Sequence, residues 1–305
     1  MPPPRDHSRL TSLFLAGAGW LLVFLYAVPL IWMAVVSLKP RDQAAAPGVS
    51  PLPRFADPAA PDQPLSPASA AYWKSLASQA THNYSDVWYS PVADFPVYLR
   101  NSTIIALLGV VGIVLSSSVV AYGFSRLRWR GRDAVFLLVL ATLMIPQAVI
   151  IAPQYIVFKK LHLIGTFAPL WLPAWFGGAF SIFLLRQFFL GIPRELDEAA
   201  TIDGCSHLGI FWRIILPLSQ PALIAVALFF FIGSWNDFLG PLVFLNHQSQ
   251  YTLQLGLQMY HSQHGGTPWN LVMAASILTL APVLLLYLFA RRFFVEGIAT
   301  HGSRE

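Results

Sequence analysis

Apolar residues in this chain do not alternate with polar ones. They gather into long runs separated by short polar segments. Six runs reach the roughly 20 residues that a helix needs to cross a hydrocarbon core: Leu13–Leu38, Ser102–Phe124, Ala134–Phe158, Phe167–Leu190, Pro221–Leu245 and Leu271–Phe294. Arg5 and Arg9 precede the first run as they would in a secretory signal, but the run outlasts the 7–15 residues of a signal core, so an uncleaved span is expected. The pattern predicts an all-α polytopic membrane protein with six transmembrane helices. Its parts are an N-terminal segment 1–12, a first helix 13–38, a long Pro-rich loop 39–101, a five-helix core 102–295 and a tail 296–305.

Composition supports lipid as the solvent. Charged residues make up 11% of the chain and hydrophobic ones 56%, against about 25% charged in a soluble domain. Orientation follows from the placement of Lys and Arg in short loops. "RLRWRGRD" carries Arg126, Arg128, Arg130 and Arg132, the tail adds Arg291, Arg292 and Arg304, and 246–270 contains neither Lys nor Arg. Lys159 and Lys160 are the exceptions. Both termini are therefore expected in the cytoplasm and the 39–101 loop outside. That loop holds ten of the 24 prolines in its Pro40–Arg100 stretch. Its first half is expected to be extended and poorly ordered, because proline neither continues helices nor donates to ladders. The second half, with Tyr72, Trp73, Leu76, Tyr84 and Trp88, is expected to fold against the membrane surface. The sequons at Asn83 and Asn101 read as chance matches.

One polar stretch stands between two apolar runs: "EAATIDGCSHLGIFWRIILP", Glu198 to Pro217. Pro193 suits a helix start, and Glu195, Asp197 and Glu198 complement the positive end of the helix dipole. Leu196, Ala199 and Ala200 share a face, and Gly204 is suited to a left-handed turn. Ser206 is placed to cap a second helix whose Ile210, Phe211, Ile214 and Ile215 form an apolar face up to Pro217. An insert of about 193–217 is thus helix, glycine turn, helix. On composition alone it reads equally as an interfacial linker lying on headgroups and as an element that presses its alanines into another protein.

The spacing of Glu198-Ala199-Ala200, three residues, Gly204, nine residues, then Ile214-x-Leu216-Pro217 resembles the EAA signature of ABC-importer membrane subunits. The wider chain is similar to the carbohydrate-uptake permeases of maltose type. The supporting stretches are "NSTIIALLGVVGIVLSSSVVAYGFSRLRWRGRD", "IFLLRQFFLGIPRELDEAATIDG", "GSWNDFLGPLVFL" and "LFARRFFVEGIATHG". Cys205 departs from the more usual alanine. The resemblance implies a permease half that carries a sugar or sugar-like solute, with the insert as the helix coupling it to a cytoplasmic ATPase. It assigns that coupling to Glu198, Ala199, Ala200, Asp203, Gly204, Ile214, Leu216 and Pro217, and a tail contact to Glu296 and Gly297. The implied partners are a second, similar permease, two ATP-binding subunits, an external solute-binding protein and membrane lipid, with no nucleic acid. No cofactor is expected on this chain; none of the four lysines follows a glycine as in a GxxxxGK loop, and the resemblance implies that ATP is bound by the partner. The chain itself is expected not to be an enzyme: no Ser, His and Asp fall at triad spacing, and one cysteine excludes a multi-Cys metal site.

Asn236 and Asp237 interrupt the fifth run. An acid at membrane depth faces protein or water, so Asp237 fits a solute path or gate and fits equally an anchor held by hydrogen bonds. Gln147 and Gln154, beside Pro146 and Pro153, are path candidates of the same kind. Arg186 is expected to snorkel to headgroups. The shortage of intramembrane acids counts against an ion-coupled carrier. A non-transporting anchor or sensor that docks an ATPase through the same helix is the alternative function.

Overall fold

The computed structural model describes residues 7–46, 48, 50–58, 60–90, 93–260 and 266–301. Among them helices dominate, and the only sheet is a short hairpin. Two compact units emerge: Met1–Ala93 with Met259–Leu280, and Asp94–Gln258 with Ala281–Glu305. The expected core of 102–295 is therefore interrupted, because 259–280 clusters with the N-terminal residues.

In the first unit, helix α1 (His7–Ser37) is apolar from Leu13 nearly to its end and exposes Phe14, Trp20 and Phe24, while Val36 and Ser37 near its end are buried. An apolar helix this bare needs lipid around it. The short helix α2 (Arg41–Ala45) and the strands β1 (Ala56–Asp57) and β2 (Ala60–Pro64) follow. The Pro-rich half is thus folded where the sequence suggested an extended, poorly ordered chain. Side chains supply what the prolines cannot: Gln43 donates to the Arg54 carbonyl at 2.6 Å and accepts from the Arg54 N–H at 2.8 Å. The Tyr72 ring packs edge-on against Phe55, and its hydroxyl donates to the Pro53 carbonyl at 3.0 Å. Tyr72 lies on α3 (Ala70–Trp88), which Ser69 caps by accepting the Tyr72 N–H. Asn83 on α3 is a buried hub. Its amide donates to the Ser37 and Lys39 carbonyls at 2.7 and 3.0 Å, and its oxygen accepts from Asn270 at 3.0 Å.

The second unit is organised around α4 (Phe95–Ser125), which Asp94 caps by accepting the Val97 N–H. Small residues let neighbours reach its backbone, the usual basis of helix packing in lipid. A Cβ at Gly109 would overlap the Phe230 ring, and one at Gly112 would overlap the Trp175 indole. Trp175 Nε1 donates to the Leu108 carbonyl at 3.1 Å, and Ser116 Oγ donates to the Ala174 carbonyl at 2.9 Å. After α4 come α5 (Arg132–Ala141), α6 (Gln147–Lys160), α7 (Ala168–Trp171) and α8 (Ala179–Gly191). Next are α9 (Glu195–Ile202), α10 (His207–Ile210), α11 (Leu216–Leu218) and α12 (Gln220–Trp235). The order closes with α13 (Leu239–Phe244), α14 (Leu253–Leu257) and α15 (Trp269–His301).

Four stretches are long and apolar enough to span by themselves: Phe14–Ser37, Phe95–Ser125, Ala168–Gly191 and Trp269–Arg291. Two bent pairs, Arg132–Met144 with Gln147–Lys160 at 100° and His207–Leu218 with Gln220–Trp235 at 77°, bring the total to six if each pair is one span. The chain is an all-α multi-pass membrane protein. The third and fifth runs are broken helices. Pro146 has no N–H and bends the third, while the helix of the fifth stops at Trp235 and resumes at Leu239. The Arg186 guanidinium stands over the Phe136 ring at 4.2 Å and 3.8 Å from an Asp133 oxygen.

Candidate functional site

Two places gather the chemistry. The first is the insert. Its leading turn begins at Arg194, whose carbonyl accepts the N–H groups of Asp197 and Glu198, so Pro193 lies just outside the helix it was expected to start. Helix α9 ends in a tight turn. Gly204 adopts φ +82, a backbone region where a Cβ is strained, and the Cys205 N–H returns to the Ala200 carbonyl at 2.8 Å. Ser206 then caps α10 by accepting the Gly209 N–H at 3.2 Å. The second helix does not end at Pro217. It passes through a π-helical stretch, Phe211–Ile215, into α11, and the bend comes at Ser219. The wider turn absorbs the donor that Pro217 lacks: the Leu216 N–H reaches back five residues to the Phe211 carbonyl.

Burial divides the insert into two faces. Ala200, Ile210, Phe211 and Ile215 are buried in the core of the unit, with Tyr122 against Phe211 at 5.2 Å between ring centroids. Glu198, Ala199, Asp203, Gly204 and Pro217 are exposed, and Ile214 and Leu216 are half-buried. Ala199 and Ala200 therefore look in opposite senses. Beside the exposed motif residues stand Ile202 and Leu208, 86% and 72% exposed.

The sequence did not reveal what holds this element. Arg126, which had served only to orient the chain, has a side chain 3% exposed that pairs with Asp197 at 3.3 Å. It also donates to the Ile192 carbonyl at 2.9 Å. Burial pushes the guanidinium below its usual pKa range; Asp197 raises it again and Arg194 lowers it. The Tyr122 hydroxyl donates to the His207 carbonyl at 3.1 Å, so α4 grips both arms of the turn. A hollow of about 320 Å³ lies over this grip, with Arg194, Glu198, Thr201 and His207 on its walls. The one available signal was a basic residue immediately after a span, and that pattern is shared by Arg128, Arg130 and Arg132.

The second place is a cavity of about 450 Å³ within the spanning helices. It sits where several helices break: at the start of α6, along α7, and between α12 and α13. Non-helical backbone at membrane depth is tolerated where it is buried in protein or lines a water-filled space. Gln147, Gln154 and Asp237 all line it, joined by Ser102, Ser234 and Thr252, which sequence reasoning missed. Asn236 does not. Its amide donates to the Ile232 carbonyl at 2.9 Å and its oxygen accepts from Gln254 at 3.3 Å. Asp237 Oδ1 accepts the Gly240 N–H at 3.0 Å and so caps α13 across the break. Both sequence readings of Asp237 thus have a counterpart: it anchors a helix and it faces a cavity. Glu296 and Gly297 fall in the last turns of α15, where side chains lie outside the described residues.

Residues 100–299 match the family model described as binding-protein-dependent transport system inner membrane component. The trehalose/maltose transport system permease of Thermococcus litoralis is 34% identical over 296 residues, 96% of this chain and 97% of that one. The arabinooligosaccharides transport system permease of Halalkalibacterium halodurans is 39% identical over 68% of this chain and 74% of its own. The sn-glycerol-3-phosphate transport system permease of Yersinia pestis is 38% identical over 71% and 78%. Among solved structures, a bacterial ABC transporter involved in the import of the acidic polysaccharide alginate superposes with a TM-score of 0.74 at 21% identity, covering 96% of this chain and 100% of that one. The family model spans both the insert and the cavity, and the chain belongs to the family of binding-protein-dependent transport inner membrane components.

Proposed function

We propose that this chain is the membrane-spanning half of a binding-protein-dependent ABC importer for a sugar or sugar-like solute, working by alternating access. The observation that carries the reading is the two-faced insert. One face is locked to α4 by Arg126 and Tyr122, and the other leaves Ile202 and Leu208 bare beside Glu198 and the Gly204 turn. Bare apolar side chains on a rigid element outside the lipid-spanning runs suit a protein partner. In this reading the partner is a cytoplasmic ATP-binding subunit, present twice, which carries the ATP; this chain holds no cofactor. Both termini then lie in the cytoplasm. ATP-driven closure of the engine moves the insert, and the insert moves α4 as a lever through a paired charge. The cavity at the helix breaks is this half's share of the solute path. A second, similar permease supplies the other half, and a solute-binding protein delivers from outside; a structurally similar alginate transporter, with a TM-score of 0.61, is seen in complex with an alginate pentasaccharide-bound periplasmic protein.

The test uses the chain co-expressed with its ATP-binding and permease partners. Glu198→Lys and Ile202→Asp are expected to leave membrane abundance unchanged, release the ATP-binding subunit during purification and abolish uptake. Retention of that subunit without any solute uptake, in the unaltered protein, would instead mark a docking anchor. Orientation is checked with impermeant thiol reagents in a Cys205→Ser background: Ser249→Cys should react in intact cells and Arg130→Cys only after the membrane is opened.

A further inference from the structure

The relatives do not agree on the charge of what they carry. Two are named for neutral sugars, one for sn-glycerol-3-phosphate, and the structural neighbour for an acidic polysaccharide. Family membership therefore leaves the charge class open, and the cavity bears on it. We propose that this half admits uncharged polyhydroxyl solutes and turns anions away, with Asp237 as the discriminating charge. The inference rests on the cavity being part of the solute path.

Three observations carry it. Among the described residues lining the cavity, Asp237 is the sole ionisable side chain; no Lys, Arg or His lies on its walls. A phosphate or carboxylate entering would meet a like charge in a low-dielectric surround with no cation to answer it, where Coulomb repulsion is far less screened than in water. Next, the remaining polar groups are the kind that hydroxyls satisfy. Gln147 and Gln154 each donate and accept, and Asp237 accepts from vicinal hydroxyls. Thr252 adds a hydroxyl in a side chain 5% exposed, without a hydrogen-bond partner among the described residues. A buried, unsatisfied hydroxyl is costly unless a ligand or water completes it. Finally, the volume of about 450 Å³ lies within the range of about 300–1,000 Å³ typical of small-molecule pockets, and Phe229 and Phe244 add apolar wall to it. The Asp237 carboxylate accepts from the Gly240 and Leu239 backbone amides in capping α13 and also lines the cavity, so one group serves both tasks.

The experiment reads the cavity's charge preference directly and needs no knowledge of the solute. Ser234, on the cavity wall, is replaced by cysteine in a Cys205→Ser background, within the assembled complex and in membranes opened to both faces. Its reaction rates with a neutral hydroxyethyl methanethiosulfonate and with the anionic sulfonatoethyl analogue are compared, each normalised to Ser249→Cys at the surface. The anionic reagent is expected to be slower by about tenfold or more. Asp237→Asn, which keeps an oxygen for the Gly240 amide, should remove most of that gap, and Asp237→Lys should reverse it. Equal normalised rates in the parent protein, or a gap untouched by Asp237→Asn, overturn the charge filter while leaving the path intact. Labelling by neither reagent overturns the path reading itself, and the filter with it.

Discussion

Two aspartates, Asp197 and Asp237, have opposite surroundings. Asp197 sits in the insert and gives its charge to Arg126, a partner far earlier in the chain, at 3.3 Å. Asp237 sits among spanning helices and meets the backbone amides of Gly240, at 3.0 Å, and Leu239, with no cation on the cavity walls. A charge matched by a fixed counter-charge ties two elements together. A charge held only by a helix cap still attracts donors and repels anions. The comparison separates a joint from a filter, although the residue type is the same.

The sharpest way to break the comparison is Arg126→Ala. It strands a mostly buried carboxylate and frees the Ile192 carbonyl. Removing one partner of a buried pair is expected to destabilise by about 3 kcal/mol, so amide exchange of α9 in the detergent-solubilised complex should quicken by about a hundredfold. Asp237→Ala, which loses only a cap, should loosen α13 by about 1 kcal/mol, within tenfold. Comparable acceleration in the two places would dissolve the distinction between joint and filter. Adding Asp197→Ala to Arg126→Ala should return about 1–3 kcal/mol as pairwise coupling.

Gly204→Val comes next. Its Cβ would meet nothing within 4 Å, and the backbone strain at φ +82 should cost about 1–2 kcal/mol. Insertion should be normal and retention of the ATP-binding subunit lost; normal retention would show that the turn's shape is not read by a partner. Tyr122→Phe removes one hydroxyl donor to the His207 carbonyl and should weaken the grip by about 1 kcal/mol, visible as exchange in α10 with α9 less affected. The smallest structural effect belongs to Asp237→Asn. The amount of assembled complex should stay at the parent level while uptake kinetics change, and a fall in assembly matching the fall in uptake would make Asp237 an anchor alone.

Local pattern carried much of this in the sequence. Long apolar runs announced spans because lipid demands contiguous apolar surface, and the Gly204 turn with the Ser206 cap was legible because such features depend on neighbours within a few residues. Pro217 misled for a related reason. Proline removes a donor, but whether the helix stops or widens into a π turn depends on the packing of Phe211 and Ile215 in the core. The Pro-rich loop misled because composition counts prolines and cannot see that Phe55 finds Tyr72 or that Gln43 pairs with Arg54.

What the sequence by itself determined is the solvent of each segment, the class of fold and the existence of a charged helical insert, since these follow from residues adjacent in the chain. What only the tertiary structure decided is who faces whom. Arg126 became a joint, Asn236 turned away while its neighbour Asp237 entered a cavity, and Gln147, Gln154 and Thr252 met on common walls. Those outcomes depend on contacts between residues far apart in sequence, made where broken helices cross. The energy of a charge depends on its surroundings, and the surroundings exist only once the chain has folded.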